Sequence, residues 1–317
     1  MKIYSEYDDE PNMKLAPIAL FVYNRPAHTR QTVEALLKNV FAGESDLIIF
    51  SDAPKKPEAA LAVLEVREYI KTISGFKSVT IIERDENLGL AKSIISGVTE
   101  VVNVYGKIIV LEDDIVTSPA FLTFMNKALD YYQNQEKVWH ISGWNYPINS
   151  EGLGDVFFWR AMNCWGWATW ADRWANFEKN SHRLIEQWTD EKKYHFDLDG
   201  SGVFWPQVTS NAEEKINTWA IFWYATIYQK NGLCLNPSLT FVDNIGHDGS
   251  GVHCGNAGER VPITVNPTAQ INFPNDICES NPAVTRIQDY FRTLKRSFIV
   301  RVINKISRIL IKKNFIK

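Results

Sequence analysis

The feature that most constrains the fold is an alternation in the first 142 residues. Short apolar runs rich in Ile and Val stand at 18–23, 47–50, 79–82, 107–111 and 138–142, each closed by polar or turn residues. Runs of that length and β-branched content are expected of strands buried on both faces. Between them, residues 29–41, 57–73, 90–105 and 119–134 carry helical spacing. Strand alternating with helix predicts an α/β fold with a mostly parallel, doubly wound sheet flanked by helices. Right-handed crossovers bring the loops that follow the strands to one edge, where ligands bind in such sheets.

The remaining composition narrows the class. With 317 residues, 45% hydrophobic and 22% charged, the chain is an ordinary globular one, which excludes disorder, collagen-like repeats and coiled coil as the overall class. The length accommodates one large α/β domain with an appendage, or two modest domains. No apolar run reaches 18 residues, so no spanning helix is expected, and the acidic residues 1–14 do not have the apolar core of a secretion signal. Four cysteines without C-x-x-C spacing argue against zinc and against a dense disulfide framework, and fit a reduced cytosolic chain. Charge is unevenly spread: residues 285–317 hold ten Lys/Arg against one acid, whereas residues 1–284 hold 24 against 36.

The second half has a different texture. All 11 Trp fall between Trp139 and Trp223. A strand is expected over 156–159, a helix over 211–230 stopped at Asn231-Gly232, and a strand over 233–242. A Gly/His loop (246–258) and a Pro/Asn-rich connector follow. The expected divisions are an N-terminal extension (1–15), a first half (16–142), a second half (143–260), a connector (261–284) and a basic C-terminal helix (285–317).

Polar residues just past the strands carry the chemistry. After the fourth strand come Glu112, Asp113 and Asp114. Two unit charges at 4 Å repel by about 4 kcal/mol at an effective dielectric near 20. A hard cation with oxygen ligands, Mg2+ or Mn2+, relieves such a cluster and bridges it to a diphosphate; an acidic turn in solvent is the plain alternative. Asn24 and Arg25 follow the first strand, Asp52 the second, and Asn87, Gly89 and Lys92 open the helix after the third. An Arg can hold a ring or phosphate, an Asp can accept from a base N–H, and a glycine-containing helix start offers free N–H groups to anions, although caps and turns use the same residues.

These segments, Tyr-Asn-Arg-Pro (23–26), Ser-Asp (51–52), Asn-Leu-Gly-Leu-Ala (87–91) and Leu-Glu-Asp-Asp (111–114), together resemble GT-A fold (Rossmann-like), nucleotide-sugar-dependent glycosyltransferases. Glu-Asp-Asp followed by Ser-Gly-Trp-Asn (142–145) and Gly166-Trp167 is similar to the N-acetylglucosaminyltransferase I type. Residues 165–170 and 244–253 also look like bacterial glycosyltransferases of surface polysaccharide assembly.

The resemblance implies a sugar transferred from a UDP-linked or similar donor to a glycan or lipid-linked glycan, with inversion and with Mn2+ or Mg2+. The first half would be the nucleotide-sugar half and the Trp-rich second half the acceptor side. Arg25 and Asp52 would contact the base with Tyr23 and Asn24 shaping its wall; Asn87 and Lys92 would assist base or phosphate. Glu112 and Asp113 would face ribose and donor sugar, and Asp114 would be the direct metal ligand. Trp144, Asn145, Gly166 and Trp167 would border donor sugar and acceptor, with Trp144 and Trp167 as stacking rings and Trp174, Trp188 and Trp205 as core. The chain departs from the family at its base: 217–221 has no carboxylate where the N-acetylglucosaminyltransferase I type carries one. Glu213, four residues before Asn217 on the expected helix, and Asp248 are the substitutes. His247 and His253 flank a glycine-rich loop able to close on the diphosphate, His253 with a nitrogen for metal or phosphate.

In the tail, Ile287, Phe291, Leu294, Phe298, Val302, Ile306 and Ile309 form a helical stripe among basic residues. Such a helix suits an anionic membrane and would place the protein on the cytoplasmic face; packing on the domain is the other use. No nucleic-acid partner is expected. The competing functions are a catalytically inactive nucleotide-sugar or glycan binder and, further off, a nucleotidyltransferase.

Overall fold

The computed structural model describes residues 13–248, 263–268 and 270–294. In chain order they form β1 (Ile18–Val22), α1 (Pro26–Leu36), β2 (Asp46–Ser51), α2 (Ala60–Ile70), β3 (Ser78–Glu83), α3 (Gly89–Tyr105), β4 (Lys107–Glu112), β5 (Ile115–Thr117), α4 (Phe121–Tyr131) and β6 (Val138–Ser142). Then follow β7 (Val156–Trp159), β8 (Trp167–Trp170), α5 (Ala171–Trp174), α6 (Ser181–Gln187), α7 (Asp190–Phe196), α8 (Trp205–Ala212), α9 (Ala220–Gln229), β9 (Leu233–Pro237), β10 (Val242–Asn244) and a last helix, α10, over 281–294.

Eight strands make one sheet in the order β3-β2-β1-β4-β8-β6-β9-β7, which runs through both halves of the chain. β3, β2, β1 and β4 are parallel, as the alternation predicts. Strand β8, from the Trp-rich stretch, lies antiparallel between β4 and β6, so the parallel run stops at β4 and the sheet is mixed beyond it. β3 is an edge strand with Ser78, Thr80 and Glu83 exposed, in contrast to the both-faces-buried expectation. Burial alternates along the strands: Ile18, Leu20, Leu47, Ile49 and Ile109 pack under α1, α2 and α4, while Ala19, Phe21, Ile48, Phe50 and Ile108 pack under α3 and the second-half helices. Period-two alternation between two apolar layers is what a sheet covered on both faces requires.

Two expected elements divide. The helix over 211–230 is α8 and α9 with a break between them, where Glu214 takes φ +55. Glu213 therefore sits at the C-terminus of α8 and does not share a helix face with Asn217. The strand over 233–242 is β9 in the large sheet and β10 in a separate two-stranded ribbon, antiparallel to β5. Pro237 ends the first, and the chain crosses to the second through Ser238–Phe241, where Phe241 N donates to Gly143 O at 2.7 Å. That crossing decides what covers the site.

Of the expected stripe of the tail, Ile287 and Phe291 are buried, whereas Leu294 is exposed. Ala283, Val284, Ile287 and Phe291 of α10 pack into the aromatic layer over α9, and Arg286 Nη1 donates to Glu151 O at 2.8 Å. The membrane-facing expectation is corrected at Ile287 and Phe291, whose side chains pack on the domain instead. Residues 295–317, with Phe298, Val302, Ile306 and Ile309, lie outside the described residues. Among the described residues no helix is long and apolar enough to cross a membrane.

Candidate active site

Strand order reverses between β1 and β4: the chain steps outward from β1 through β2 to β3, then returns to the other side of β1. At such a switch point the loops leaving adjacent strands part, and a crevice opens beyond their carboxyl ends. Here the crevice holds Arg25, which follows β1, and Asp113 and Asp114, which follow β4.

Arg25 forks onto Asp113: Nε donates to Oδ2 at 3.3 Å and Nη2 contacts Oδ1, while Nη2 also reaches Asp114 Oδ2 at 2.9 Å. Burial works against the guanidinium charge, but the two aspartates outweigh it and hold Arg25 more firmly protonated than usual. Burial raises the pKa of Asp113 and Arg25 partly offsets that. Glu112, behind them, is pushed up to about 8 by burial and then by Asp114 and Asp113. One guanidinium charge thus stands between two aspartates, and Glu112 beside them is shifted toward its neutral form. Arg25 Nη1 is buried with no acceptor.

The β5–β10 ribbon brings a further segment onto this corner. Ile245 N donates to Asp114 O at 2.9 Å, continuing the ribbon past β10. Gly246 then passes so close that a Cβ there would lie 2.2 Å from Asp114 Oδ2 and 3.0 Å from Arg25 Nη1. Only glycine lets the backbone approach so near a carboxylate. His247 packs edge-on against Trp165, which packs edge-on against Trp144. Asp248 Oδ2 lies 3.2 Å from Nε2 of His28, in the first turn of α1.

Several expected residues thus share one corner: Arg25, Asp113, Asp114, His247 and Asp248, with Trp144 reached through Trp165. Tyr23 and Asn24 line its approach from β1, half-buried, and Tyr23 Oη accepts from Lys55 N at 2.9 Å. Asp52 is placed differently from the expectation that it meets a base. Its Oδ1 accepts from Ala53 N and Leu88 N, and its Oδ2 from Gly89 N and Asn87 Nδ2. A carboxylate has about four acceptor positions, so this one is fully used in fastening the start of α3. Asn87 is part of the same fastening. Lys92 is exposed on α3 and lines a groove with Ser96, Lys179 and Asn217.

Other placements correct the expectations. Trp167 is 0% exposed in β8, stacked between His140 and Trp219, so it has no free face for a sugar. Trp144 and Asn145 are also largely buried; Asn145 Nδ2 donates to Ser238 O at 3.1 Å and so braces the turn after β9. Gly166 takes φ +61 with its carbonyl accepting from Gly143 N, and serves the meeting of the β6 and β8 loops. Glu213 is exposed and pairs with Lys215 at 2.7 Å, not with any group of the corner. His253 lies outside the described residues. The residue that motif reasoning passed over is His28; its only sequence signal is the three-residue step from Arg25, which places both in the first turn of one helix.

Among the described residues no three Asp, Glu, His or Cys side chains converge as a cage for a metal ion. Asp113 spends both oxygens on Arg25 and Asp114 spends Oδ2 there, leaving Asp114 Oδ1 without a hydrogen bond or ion pair among the described residues. One anionic oxygen fits a hard cation that brings most of its ligands with it, as Mg2+ or Mn2+ on a diphosphate does.

No family model and no curated protein matches the sequence. Solved structures do resemble the fold. One is the mannosyltransferase PcManGT from Pyrobaculum calidifontis in complex with GDP-Man and Mn2+, at 10% identity over 71% of this chain and 72% of that one, TM-score 0.41. Another is S. aureus TarS 1–349, at 9% identity over 71% and 59%, TM-score 0.41. Likeness of this grade concerns the course of the chain and says nothing of substrate.

Proposed function

We propose that the protein is a glycosyltransferase that takes a sugar from a nucleoside-diphosphate donor, UDP-linked by resemblance, to a glycan or lipid-linked glycan of surface polysaccharide. The observation that carries this is the opposite-sign pair at the switch point: an unspent guanidinium N–H beside an unspent carboxylate oxygen. Arg25 Nη1 offers its hydrogen to a phosphate oxygen, and Asp114 would hold Mn2+ or Mg2+. Such a cation, when bound, supplies Lewis-acid stabilisation of charge developing on the leaving diphosphate. The chain's own contribution is positioning and electrostatics. Arg25 stays charged through the reaction because Asp113 and Asp114 hold its proton. The base ring lies along Tyr23 and Asn24. Asp248 takes the proton of the attacking hydroxyl as that oxygen bonds to the anomeric carbon from the face opposite the diphosphate, giving inversion.

Asp114→Asn keeps shape and removes the charge. Transfer and donor hydrolysis with Mn2+ are expected to fall by about a hundredfold or more in that variant, with thermal midpoint preserved. A donor screen by thermal shift with Mn2+ supplies the substrate for this assay. Retained turnover in Asp114→Asn, or full wild-type activity in EDTA, refutes the metal role; absence of donor hydrolysis in the wild type favours an inactive sugar binder.

The basic tail supports work at an anionic membrane on the cytoplasmic side. Since Ile287 and Phe291 are used in packing, the membrane reading rests on Leu294 and on 295–317, the latter with eight Lys/Arg and no acid. The full chain should float with anionic liposomes and a chain ending at Leu294 should not; equal flotation removes the membrane assignment.

A further inference from the structure

A groove of about 560 Å3 runs along the flank of α3 that meets the second half of the chain. Lys92, Ile95, Ser96 and Glu100 line it from α3, and Lys179 and Asn217 from the other side. Its volume lies within the range of small-ligand sites, about 300–1,000 Å3. From Lys92 to Glu100 the helix rises by about 12 Å, which makes the groove elongated.

Both walls are fixed by the fold. Ile94, Val98 and Val101 bury the other face of α3 in the core, and the Asp52 carboxylate fastens its first turn. Trp174 Nε1 donates to Thr99 Oγ1 at 2.9 Å, which ties the segment ahead of Lys179 to the same helix. Asn217 stands in the loop between α8 and α9. Asn211 closes that loop, accepting from Thr218 N at 3.0 Å and donating to Thr218 Oγ1 at 2.9 Å. The seam between the two halves is therefore preformed, and a ligand that enters it loses little to reordering of the backbone.

The polar lining is biased toward donors. Lys179 Nζ donates to Asn217 Oδ1 and lies 5.6 Å from the centre of the Phe222 ring, so the open edge of that amide is its NH2 group. Burial lowers the pKa of the Lys179 ammonium, and no carboxylate acts to raise it. Neither Lys92 nor Lys179 makes an ion pair with a carboxylate among the described residues. Acids are not scarce: residues 1–284 hold 36 of them against 24 Lys/Arg. The acids at hand are engaged elsewhere. Glu178 meets Arg183 Nη1 at 2.5 Å, and Glu100 stands 3.7 Å from Arg84 Nη2. Two ammoniums and an amide NH2 without counter-charge favour an oxyanion over a neutral hydroxyl, because their hydrogen bonds to it are charge-assisted.

We propose that this groove binds an oxyanion, a carboxylate or phosphate carried by the acceptor glycan, with Lys92, Lys179 and Asn217 as its donors. That the oxyanion belongs to the acceptor rests on the transferase reading, in which the donor's diphosphate has Arg25 and Asp114 instead. Lys92 then serves the acceptor and not the donor. An acidic acceptor lies along the seam of the two halves with its charge held on the flank of α3.

The test uses the full chain carrying 13C at lysine Cε, with the Lys92 and Lys179 signals identified by their loss in Lys92→Gln and Lys179→Gln. Tetragalacturonate, inorganic phosphate, uncharged maltotetraose, and UDP with Mn2+ are titrated separately. Tetragalacturonate or phosphate is expected to move both signals, and each Gln variant to weaken that binding by about fivefold or more. Lys179→Arg, which keeps the charge, is expected to stay within about twofold of the wild type. Added NaCl should weaken the binding, since exposed charges are screened. Movement with tetragalacturonate assigns a uronic-acid acceptor and movement with phosphate alone a phosphodiester one; both support the groove. No movement with either, equal movement with maltotetraose, displacement of the oxyanion by UDP, or unchanged affinity in both Gln variants overturns the proposal. These titrations need no turnover. Silent lysines would remove the groove and leave the role of Asp114 standing, whereas a wild type that binds tetragalacturonate but turns over no donor would remove the transferase reading alone.

Discussion

Asp113 is a buried carboxylate, and its two oxygens depend on one guanidinium. Removing one partner of a buried pair leaves the other charge without compensation, which costs far more than the pair contributes when intact. Arg25→Met should therefore destabilise the fold by about 3 kcal/mol in urea unfolding. Arg25→Lys should recover less than half of that, because an ammonium is a point donor and cannot fork onto Asp113 while reaching Asp114. A change below about 1 kcal/mol in Arg25→Met would mean that the fork is not maintained in solution. The same reasoning explains why Asp52 reads ambiguously in a sequence: a carboxylate after a strand serves a ligand or a helix start, and only its four donors show which it serves here.

At the scale of elements, the molecule protects both edges of its long sheet differently. β3 leaves polar side chains outward. β7 is covered by the strap before α10, where Ser280 N donates to Phe158 O at 2.8 Å and Arg160 Nη2 meets Glu279 at 2.7 Å. The strap then delivers α10 onto the aromatic layer. Ile287 is fully buried there, so Ile287→Ala should cost about 2–4 kcal/mol by urea titration. A loss under about 0.5 kcal/mol, typical of a surface position, would show that α10 is only loosely applied. Amphipathicity could not distinguish this helix from a membrane-binding one, because apolar spacing states that a face must be covered and does not say by what.

At the scale of the whole molecule, β6, the inserted β8 and α9 meet around His140, which lies in β6 and stacks on Trp167 of β8. Trp223 Nε1 can only donate, so His140 Nδ1 is the acceptor at 3.3 Å, and Nε2–H donates to Asn163 O at 3.0 Å. Burial pushes this imidazole down to about 3. The unfolded chain, with an ordinary value near 6.5, takes up the proton more readily than the folded one. Stability contributed by the neutral ring is thus complete above about pH 6.5 and declines as pH falls toward 3, by up to about 1.4 kcal/mol per pH unit. Urea unfolding from pH 7 to 4 should show a steeper decline for the wild type than for His140→Gln, and parallel slopes would exclude this ring as the source.

Much of this architecture is written locally. The runs at 18–23, 47–50, 79–82, 107–111 and 138–142 all become strands within a residue or so, because a period-two apolar segment closed by turn residues has few other ways to bury itself. Right-handed crossovers then force Arg25 and the acid triplet to one edge, so the location of the corner was legible before any coordinates. What surrounds that corner was not. The antiparallel insertion of β8 beside β4, the break that sends 242–244 to pair with β5, the seating of Gly246 on Asp114 and the approach of His28 to Asp248 join residues 57 to 220 positions apart. Local spacing carries no information on such contacts; long-range pairing and packing choose them, and they alone determine which polar side chains are spent inside the protein and which remain for a ligand.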